Sequence, residues 1–442
     1  MKISCVQFSL AAVVALVTVL SPSHVAALPT STLAASPRVP KAYNHHRVVR
    51  IQIENEGQLQ TLTDNEAALQ LDYFTHNKNV GGHLDVRIPP ESFAKFEALD
   101  VPYTVLIEDL QQVLDEEKKE LQQNEAQFQA LQNSVGLQNT KDSNAFAGSA
   151  WFQSYHSYAD HTRWLQSQIS RNSKKASSFS FGNSYEGRRQ AGIKIGRGPN
   201  NIVLHGTLHS REWISTMVVE YIIDQLLTGS DRRVAGYLRK YTFHIVPIAN
   251  PDGFVVTQTS DRMHRKNTQV TRGCLGTDPN RNWGYKWGTA GASTNPCADD
   301  YMGPSAFSTP EASNIARYLK SLRNVAVYID FHSYSQLWMV PYGFTSQRPA
   351  TYNYMAGLAQ TAAQALRAVH GTSFRTGDIY HTIYPASGSS VDYAYSIGVK
   401  APFAVELRDT GRYGFSLPAN QIIPSGQETW AAFSAILDKA QV

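Results

Sequence analysis

The chain has 442 residues, of which 42% are hydrophobic, 11% aromatic and 17% charged, and its formal net charge at pH 7 is +4. This is the composition of an ordinary globular protein, long enough for two domains or for one large domain with a smaller companion. The mild charge, without a block of Lys and Arg, gives no reason to expect nucleic acid as a partner.

The first 27 residues have the pattern of a secretory signal peptide. Lys2 precedes an apolar run of roughly fifteen residues, and Val25-Ala26-Ala27 is a small-residue cleavage site. A membrane anchor is the alternative, but the run is short, Ser21-Pro22-Ser23 interrupts it, and no later segment is apolar enough to span a bilayer. We therefore expect a protein secreted to the extracellular space, without a membrane partner.

The cysteines are consistent with that location. Cys5 lies in the predicted signal peptide, which leaves Cys274 and Cys297 in an oxidising compartment. This even remainder favours one disulfide, worth about 3 kcal/mol on a chain-entropy model. A metal site built on the two thiols is the alternative, although neither has a second Cys or His at ligand spacing.

Residues 45–110 have the pattern of a small α/β unit. Hydrophobic periodicity predicts strands and helices, in chain order a strand at 46–53, a helix at 57–71, a strand at 82–89, a helix at 90–99 and a strand at 103–107.

A long polar segment follows this unit. Residues 109–134 are charged and Gln-rich without Gly or Pro, which predicts a helix, and 135–150 are polar and small, the profile of an exposed, cleavable connection. The whole region is either a permanent domain with a linker or a removable pro-segment.

From residue 151 onward, short β-branched segments alternate with helical ones. Strands are predicted at 201–206, 241–250 and 325–334, and helices at 213–228, 309–323 and 351–369. Unbroken apolar strands that alternate with helices predict a largely parallel, helix-covered sheet. In such folds sites form where strands end, and the polar residues that follow predicted strands are His209, Asn250, His332 and Glu406.

Two of these positions, together with Glu212, could contribute to a metal site. In "LHGTLHSREWIST", His209 and Glu212 are three residues apart, a spacing that puts both on one face of a helix. A catalytic zinc site needs a third protein ligand, and His332 in "YIDFHSYSQL" is the candidate. The alternatives are a surface hydrogen bond for the pair and a hydrogen-bonded structural role for His332.

Other polar residues could act on a substrate. Arg281 follows Asn280 in "DPNRNWG", and a guanidinium can bind a carboxylate through two hydrogen bonds. The same chemistry is available to arginines in "DRMHRKN", although loop arginines are usually solvated. Glu406 ends an apolar strand, where burial should raise its pKa toward that of a general base; pairing with Arg408 is the alternative.

Taken together, these segments resemble the zinc carboxypeptidases related to pancreatic carboxypeptidases A and B. The motifs that carry the resemblance, in this order, are "HSREW", "MHRKN", "DPNRNW", "HSYSQLWMVPYG", "IYPASGSSVDYAY" and "ELRDTGRYGFSLPANQIIPSGQETW". The resemblance implies a mixed, mostly parallel central sheet flanked by helices, preceded by a small α+β pro-domain with an antiparallel sheet and two helices. It implies a signal peptide at 1–27, a pro-segment at 28–140 and a catalytic domain at 141–442.

The resemblance also assigns roles. His209, Glu212 and His332 would bind one Zn²⁺ per chain, and Asp278 would orient His209. Glu406 would deprotonate the zinc-bound water, and Arg265 would stabilise the oxyanion. Asn280, Arg281 and Tyr384 would hold the terminal carboxylate of a peptide, while Arg211 and Tyr334 would line more remote substrate positions.

The expected specificity depends on the pocket for the last side chain. The resemblance implies that Val391 lies at its base and that Val391, Gly343 and Ile379 make an apolar pocket, which predicts removal of aromatic or aliphatic C-terminal residues. Asp392 is adjacent, and a register shift of one would select Lys or Arg instead.

The expected protein is thus a secreted A-type metallocarboxypeptidase, made as a zymogen. We expect it to be a monomer whose partners are peptide and protein substrates and an activating protease. The alternatives are a non-catalytic binding homologue on the same fold and a zinc acylase that acts on N-acyl amino acids.

Overall fold

The computed structural model describes residues 38–75, 80–134 and 148–442. The predicted signal peptide and most of the predicted cleavable connection lie outside these residues. Among the described helices, none combines the length and the apolar character needed to cross a bilayer.

The N-terminal domain is a four-stranded antiparallel sheet with the strand order β2-β3-β1-β4. Alternate residues of its strands, such as Val49 and Val86, face a core that Phe93 and Phe96 close from one side. The elements are β1 (Arg47–Gln52), α1 (Glu56–Asn65), β2 (Asp72–Tyr73), β3 (His83–Ile88), α2 (Pro90–Glu97) and β4 (Tyr103–Ile107).

One helix of this region is shorter than predicted, and another forms as predicted. The helix predicted to reach residue 71 ends at Asn65, and the chain turns until Gln70, which has a positive φ of 52°. The predicted long helix forms as α3 (Leu110–Ser134), and its first turns pack Leu110 and Leu114 against the larger domain.

The larger domain contains an eight-stranded sheet within the described residues, in the order β13-β12-β14-β11-β7-β8-β6-β5. Its strands are β5 (Ala176–Asn183), β6 (Arg189–Ile195), β7 (Asn200–Gly206), β8 (Tyr241–Val246), β11 (Val325–His332), β12 (Leu337–Val340), β13 (Arg375–Asp378) and β14 (Ala401–Glu406), and a separate hairpin joins β9 (Val270–Thr271) to β10 (Cys274–Leu275).

Helices cover this sheet and bury its apolar faces. They are α4 (Tyr158–Arg171), α5 (Trp213–Thr228), α6 (Val234–Lys240), α7 (Pro251–Thr259), α8 (Pro310–Ser321), α9 (Tyr352–His370), α10 (Ile379–Thr382), α11 (Ser390–Ser396) and α12 (Ile422–Lys439), with single 3-10 turns at Gly148–Gln153 and Ala419–Gln421. The predicted fold class is confirmed.

The pairing of the central strands brings distant residues together. Strands β8, β7, β11 and β14 are mutually parallel, so their last residues lie along one side of the sheet, which we call the C-terminal edge. His332 and Glu406 are register partners there. The strand predicted at 241–250 ends at Val246, because the Asn250 side chain accepts the Gly253 N–H and caps α7 instead.

Candidate active site

The three predicted metal ligands meet at the C-terminal edge. One donor atom from each of His209, Glu212 and His332 lies within 4.8 Å of the others, and all three side chains are buried. The Glu212 carboxylate is 3.0 Å from Nδ1 of His209 and 3.0 Å from Nδ1 of His332. Although burial alone would raise it, the charges of the two histidines lower the pKa of Glu212, so the carboxylate stays ionised.

The predicted reason for the His209–Glu212 pairing is wrong. Helix α5 begins only at Trp213, and Glu212 has φ −92° and ψ 63°, outside the helical region. A turn brings the two ligands together, with the Glu212 N–H bonded to the His209 carbonyl at 3.3 Å. Ser215 stabilises this turn, because its hydroxyl donates a hydrogen bond to the Glu212 carbonyl and accepts one from the Thr207 N–H.

Each histidine of the cluster is backed by a buried carboxylate. Nε2 of His209 lies 3.1 Å from Asp278, and Nε2 of His332 lies 2.9 Å from Asp330. A ring that donates its Nε2–H to a carboxylate leaves the Nδ1 lone pair free for a metal. Asp278 also accepts two hydrogen bonds from Arg265, whose charge outweighs burial and keeps the pKa of Asp278 well below its usual range.

Two further predicted residues flank the cluster. Glu406 is the last residue of β14, beside His332, and burial raises the pKa of Glu406 to about 8 against the opposing charge of His332. Arg265 approaches Glu212 to 3.8 Å. Arg408, the alternative partner for Glu406, instead bonds to Glu428 at 2.6 and 2.7 Å.

Asn280, Arg281 and Tyr384 also come together near the cluster. The guanidinium of Arg281 is held by the carbonyls of Gly291 and Asn280, at 2.9 and 3.0 Å, and its third nitrogen lies 3.4 Å from the Tyr384 hydroxyl. The nearby cysteines, Cys274 and Cys297, form the predicted disulfide, with a Cα–Cα distance of 5.1 Å.

An apolar pocket opens beside this group. Its wall includes the apolar side chains of Met339, Ile379, Ile383, Ala386, Val391 and Ala404. The polar residues that line it are His209, Asn280, Arg281, His332, Tyr384, Ser389 and Glu406. The carboxylate of Asp392 accepts hydrogen bonds from the N–H groups of Gly343 and Phe344, at 3.0 and 3.1 Å, and does not line the pocket. Gly343 lies behind the wall, where an added Cβ would be 2.6 Å from the Ala386 carbonyl oxygen.

The sequence is similar to known families and proteins. Residues 161–432 match the family model described as zinc carboxypeptidase, and residues 49–117 match the one described as carboxypeptidase activation peptide. The chain belongs to the zinc carboxypeptidase family. The metallocarboxypeptidase A-like protein of Trichophyton verrucosum is 40% identical over 412 residues, which cover 90% of this chain and 94% of that protein.

Other similar proteins are also named carboxypeptidases. Carboxypeptidase A2 of Rattus norvegicus is 35% identical over 407 residues, which cover 89% of this chain and 93% of the rat protein. Among solved structures, the carboxypeptidase A from Helicoverpa armigera has a TM-score of 0.77 at 27% identity, over 89% of this chain and 97% of that chain.

Family membership and geometry together identify the cofactor. Two imidazoles and one carboxylate form the donor set of a catalytic zinc site with an open position. Nε2 of each imidazole lies next to a second carboxylate, that of Asp278 or Asp330. The chain is therefore a zinc-dependent metallocarboxypeptidase, a hydrolase, and its N-terminal domain is the activation peptide of a zymogen.

The activation peptide contacts both residues that we expected at remote substrate positions. The Tyr334 hydroxyl donates to Asp85 at 2.8 Å, and Asp85 is also bonded to Arg50. Arg211 reaches the Tyr73 carbonyl at 3.5 Å. In this zymogen Tyr334 and Arg211 thus contact Asp85 and Tyr73 of the activation peptide.

A second contact involves helix α3. Glu117 accepts two hydrogen bonds from Arg262, at 2.6 and 2.9 Å, and both side chains are largely buried. The Arg262 guanidinium also lies over the Trp213 ring at 3.8 Å. This two-point ion pair ties the connecting helix to the segment next to the zinc ligands.

We expect Glu117→Gln to loosen the activation peptide after proteolytic cleavage. Loss of a charge-assisted, two-point pair should speed dissociation of the cleaved peptide by about tenfold. The measurement is the lag between cleavage, followed on a gel, and the appearance of peptidase activity. Glu116→Gln, an exposed neighbour on the same helix, is the control, and an equal lag in both variants would contradict the expected role of the pair.

Several residues of the site were not predicted from the sequence, and Asp330 is the clearest of them. It also accepts the Ser390 hydroxyl at 2.5 Å and lies 3.3 Å from the Asn280 amide nitrogen. It is therefore a common neighbour of a zinc ligand, the Asn280–Arg281 pair and helix α11. A signal was available, because residues two apart on a strand share a face, and Asp330 precedes His332 by two.

We expect Asp330→Asn to weaken zinc binding by about 10- to 100-fold, because the amide cannot hold the His332 ring as a carboxylate does. Competition with a chromogenic chelator measures this affinity. Asp252→Asn is the matched control, since Asp252 is equally buried and pairs with Arg188 away from the zinc ligands. Equal zinc affinity in the wild type and in Asp330→Asn would contradict the role of Asp330.

Proposed function

We propose that the chain is a secreted carboxypeptidase that removes aromatic or aliphatic residues from the C-termini of peptides and proteins. The observation that carries this proposal is an apolar pocket whose wall includes Val391, next to the Asn280–Arg281–Tyr384 group and the zinc ligands. Both alternative functions lack support, because the whole catalytic set is present and the relatives are carboxypeptidases.

Recognition of the chain end would fall to Arg281, Asn280 and Tyr384. A guanidinium held at two corners by backbone carbonyls is pre-oriented, so it loses little entropy when it binds a carboxylate. Only the last residue of a peptide has an α-carboxylate. This arrangement therefore supports an exopeptidase.

The preference for the last side chain would come from the pocket wall. Val391 is fully buried, and Met339 and Ala404 offer an apolar, unbranched or small surface to a ring. Asp392, which would attract Lys or Arg, is engaged with the Gly343 and Phe344 N–H groups. An uncharged aromatic or aliphatic side chain loses no hydrogen bonds on entering such a pocket.

The reaction uses groups on both sides of the zinc ligands. Zinc, when bound at His209, Glu212 and His332, supplies the Lewis acidity that polarises a carbonyl and acidifies water. Glu406 would accept a proton from the attacking water and pass it to the leaving amine nitrogen as the C–N bond breaks. Arg265, beside Glu212, would stabilise the negative charge that develops on the carbonyl oxygen, an interaction stronger in the transition state than in the ground state.

Secretion and activation complete the proposal. The predicted signal peptide at 1–27 and the disulfide support export. The contacts of Tyr73 with Arg211 and of Asp85 with Tyr334 support a zymogen that must be cut within 135–150 before long substrates enter. The boundaries at 28–140 and 141–442, and a monomeric state, remain predictions.

The test is hydrolysis of chromogenic peptides that end in Phe, Leu or Lys, measured after limited proteolysis. We expect release of Phe and Leu, at least about a hundredfold less release of Lys, and loss of activity with a zinc chelator that is reversed by added Zn²⁺. Zymogen incubated without protease is the control for activation. Preference for Lys would overturn the proposed specificity, and activity unaffected by chelation would overturn the proposed mechanism.

A further inference from the structure

We propose that the side of the large sheet opposite the active site binds a linear anionic polysaccharide. This side, which we call the basal edge, is formed by residues 171–178, 193–201, 234–242, 317–326 and 397–402. The proposal concerns a binding surface and does not depend on the peptidase specificity.

The five segments form one continuous edge. Strands β5, β8, β7, β11 and β14 begin there and β6 ends there, and in the sheet they are neighbours in the order β5-β6-β8-β7-β11-β14. Backbone hydrogen bonds join the segments, including Gly196 N–H to Lys175, Asn201 N–H to Asn324 and Lys400 N–H to Val325. With about 4.8 Å between strands, the edge is about 24 Å long.

Cations line this edge without acidic residues between them. The five segments contain no Asp or Glu. The exposed cations lie at intervals from β5 to β14 and include Lys174, Lys175, Lys194, Arg197, Arg323 and Lys400. This concentration is high for a chain whose net charge is only +4.

The charge of the edge is not neutralised within the described part of the chain. None of these six cations forms an ion pair with a described acidic residue, whereas Arg233, just outside the edge, pairs with both Asp231 and Asp438. The charge of Lys194 also affects His244, its buried partner in the strand register, because burial and this charge together lower the pKa of His244 to about 4. An anionic partner would relieve this repulsion and release counterions.

The shape and composition of the edge favour a polysaccharide over single-stranded nucleic acid and over a membrane surface. No large apolar side chain is exposed in the five segments, so the edge lacks both the stacking surface of single-stranded nucleic-acid binders and the apolar anchors of membrane-bound proteins. A row of cations along consecutive strands instead fits a chain whose carboxylates or sulfates repeat along its length.

The position of the edge leaves the peptidase site accessible. Arg323 precedes β11 and Lys400 precedes β14, whereas His332 and Glu406 end the same strands. Strands of six to eight residues separate the two sides by about 20 Å. Polysaccharide binding would therefore hold the enzyme in place in both zymogen and activated form while peptides enter from the other side.

The experiment uses the full chain and heparin as the probe, with affinity measured by calorimetry as a function of NaCl. The basal variant is Lys194→Gln/Arg323→Gln/Lys400→Gln. The control, Lys118→Gln/Arg272→Gln/Arg367→Gln, removes the same charge from exposed positions on other elements. We expect the basal variant to bind about tenfold or more weakly near 0.15 M salt, with a shallower salt dependence, and the control to bind as the wild type does.

Other outcomes would overturn the proposal. Equal losses in the basal and control variants would mean that only net charge matters, and tighter binding of the wild type to duplex DNA or to phosphatidylserine vesicles than to heparin would replace the polysaccharide as partner. A second basal variant, Lys174→Gln/Arg239→Gln/Lys320→Gln, removes different cations from the same edge. It should also bind heparin more weakly, so a folding defect in the first variant would not decide the result. Peptide hydrolysis after activation should be the same in all variants, which separates this test from that of the proposed function.

Discussion

Replacement of Glu406 by Gln is expected to lower kcat by about 10²- to 10⁴-fold, the usual contribution of a general base. The amide keeps the size of the side chain and removes its ability to accept a proton. Because neither the zinc ligands nor the pocket wall changes, zinc content and KM should stay close to those of the wild type. Steady-state hydrolysis of a peptide that ends in Phe, with metal analysis of the same sample, measures both.

The surroundings of Glu406 explain why the expected effect is large. Burial raises the pKa of Glu406 to about 8, so the group can take up a proton and release it near neutral pH. Arg408, which could have held the carboxylate ionised, is bonded to Glu428 instead.

Glu212→Gln provides the contrast, because it removes a ligand and should lose zinc together with activity. If Glu406→Gln kept more than about a tenth of the wild-type kcat, Glu406 would not be the base, since that loss is far below the general-base range.

The sequence predicted several strands and helices of the large domain because their signals are local. Apolar runs such as 325–332 and 401–406 are buried on both faces, and parallel pairing then brings the residues at their ends, His332 and Glu406, side by side. The ligand set could therefore be proposed from positions more than a hundred residues apart.

The spacing of His209 and Glu212 gave the right pair for the wrong reason. Three residues match a helical turn, but the chain between them forms an irregular turn held by Ser215. Short spacings do not distinguish these two structures, because both bring residues i and i+3 together.

Contacts that depend on long-range assembly could not be predicted. Asp85 and Tyr334 are 249 positions apart, and no local pattern relates them. Arg211 and Tyr334 were expected to meet substrate, and in the zymogen they meet the activation peptide instead. The basal edge is another example, because its cations are scattered over five segments and form a row only in the folded sheet.

Replacement of Val391 by Asp is expected to change the preferred C-terminal residue from Phe to Lys or Arg. Val391 is fully buried in the pocket wall, so a carboxylate there would be desolvated unless a cationic side chain entered. We expect kcat/KM to fall at least about a hundredfold for a Phe peptide and to rise by a similar factor for a Lys peptide.

Two matched variants separate the effect of charge from that of shape and test whether Val391 or its neighbour Asp392 forms the base of the pocket. Val391→Asn has nearly the shape of Val391→Asp without its charge, so it should lose activity on Phe peptides without gaining activity on Lys peptides. Asp392→Asn should leave the order of Phe over Lys unchanged, because the Asp392 carboxylate bonds to the Gly343 and Phe344 N–H groups outside the pocket. If Val391→Asp stayed folded and gained nothing on Lys peptides, or if Asp392→Asn reversed the preference, the base of the pocket would be a different residue.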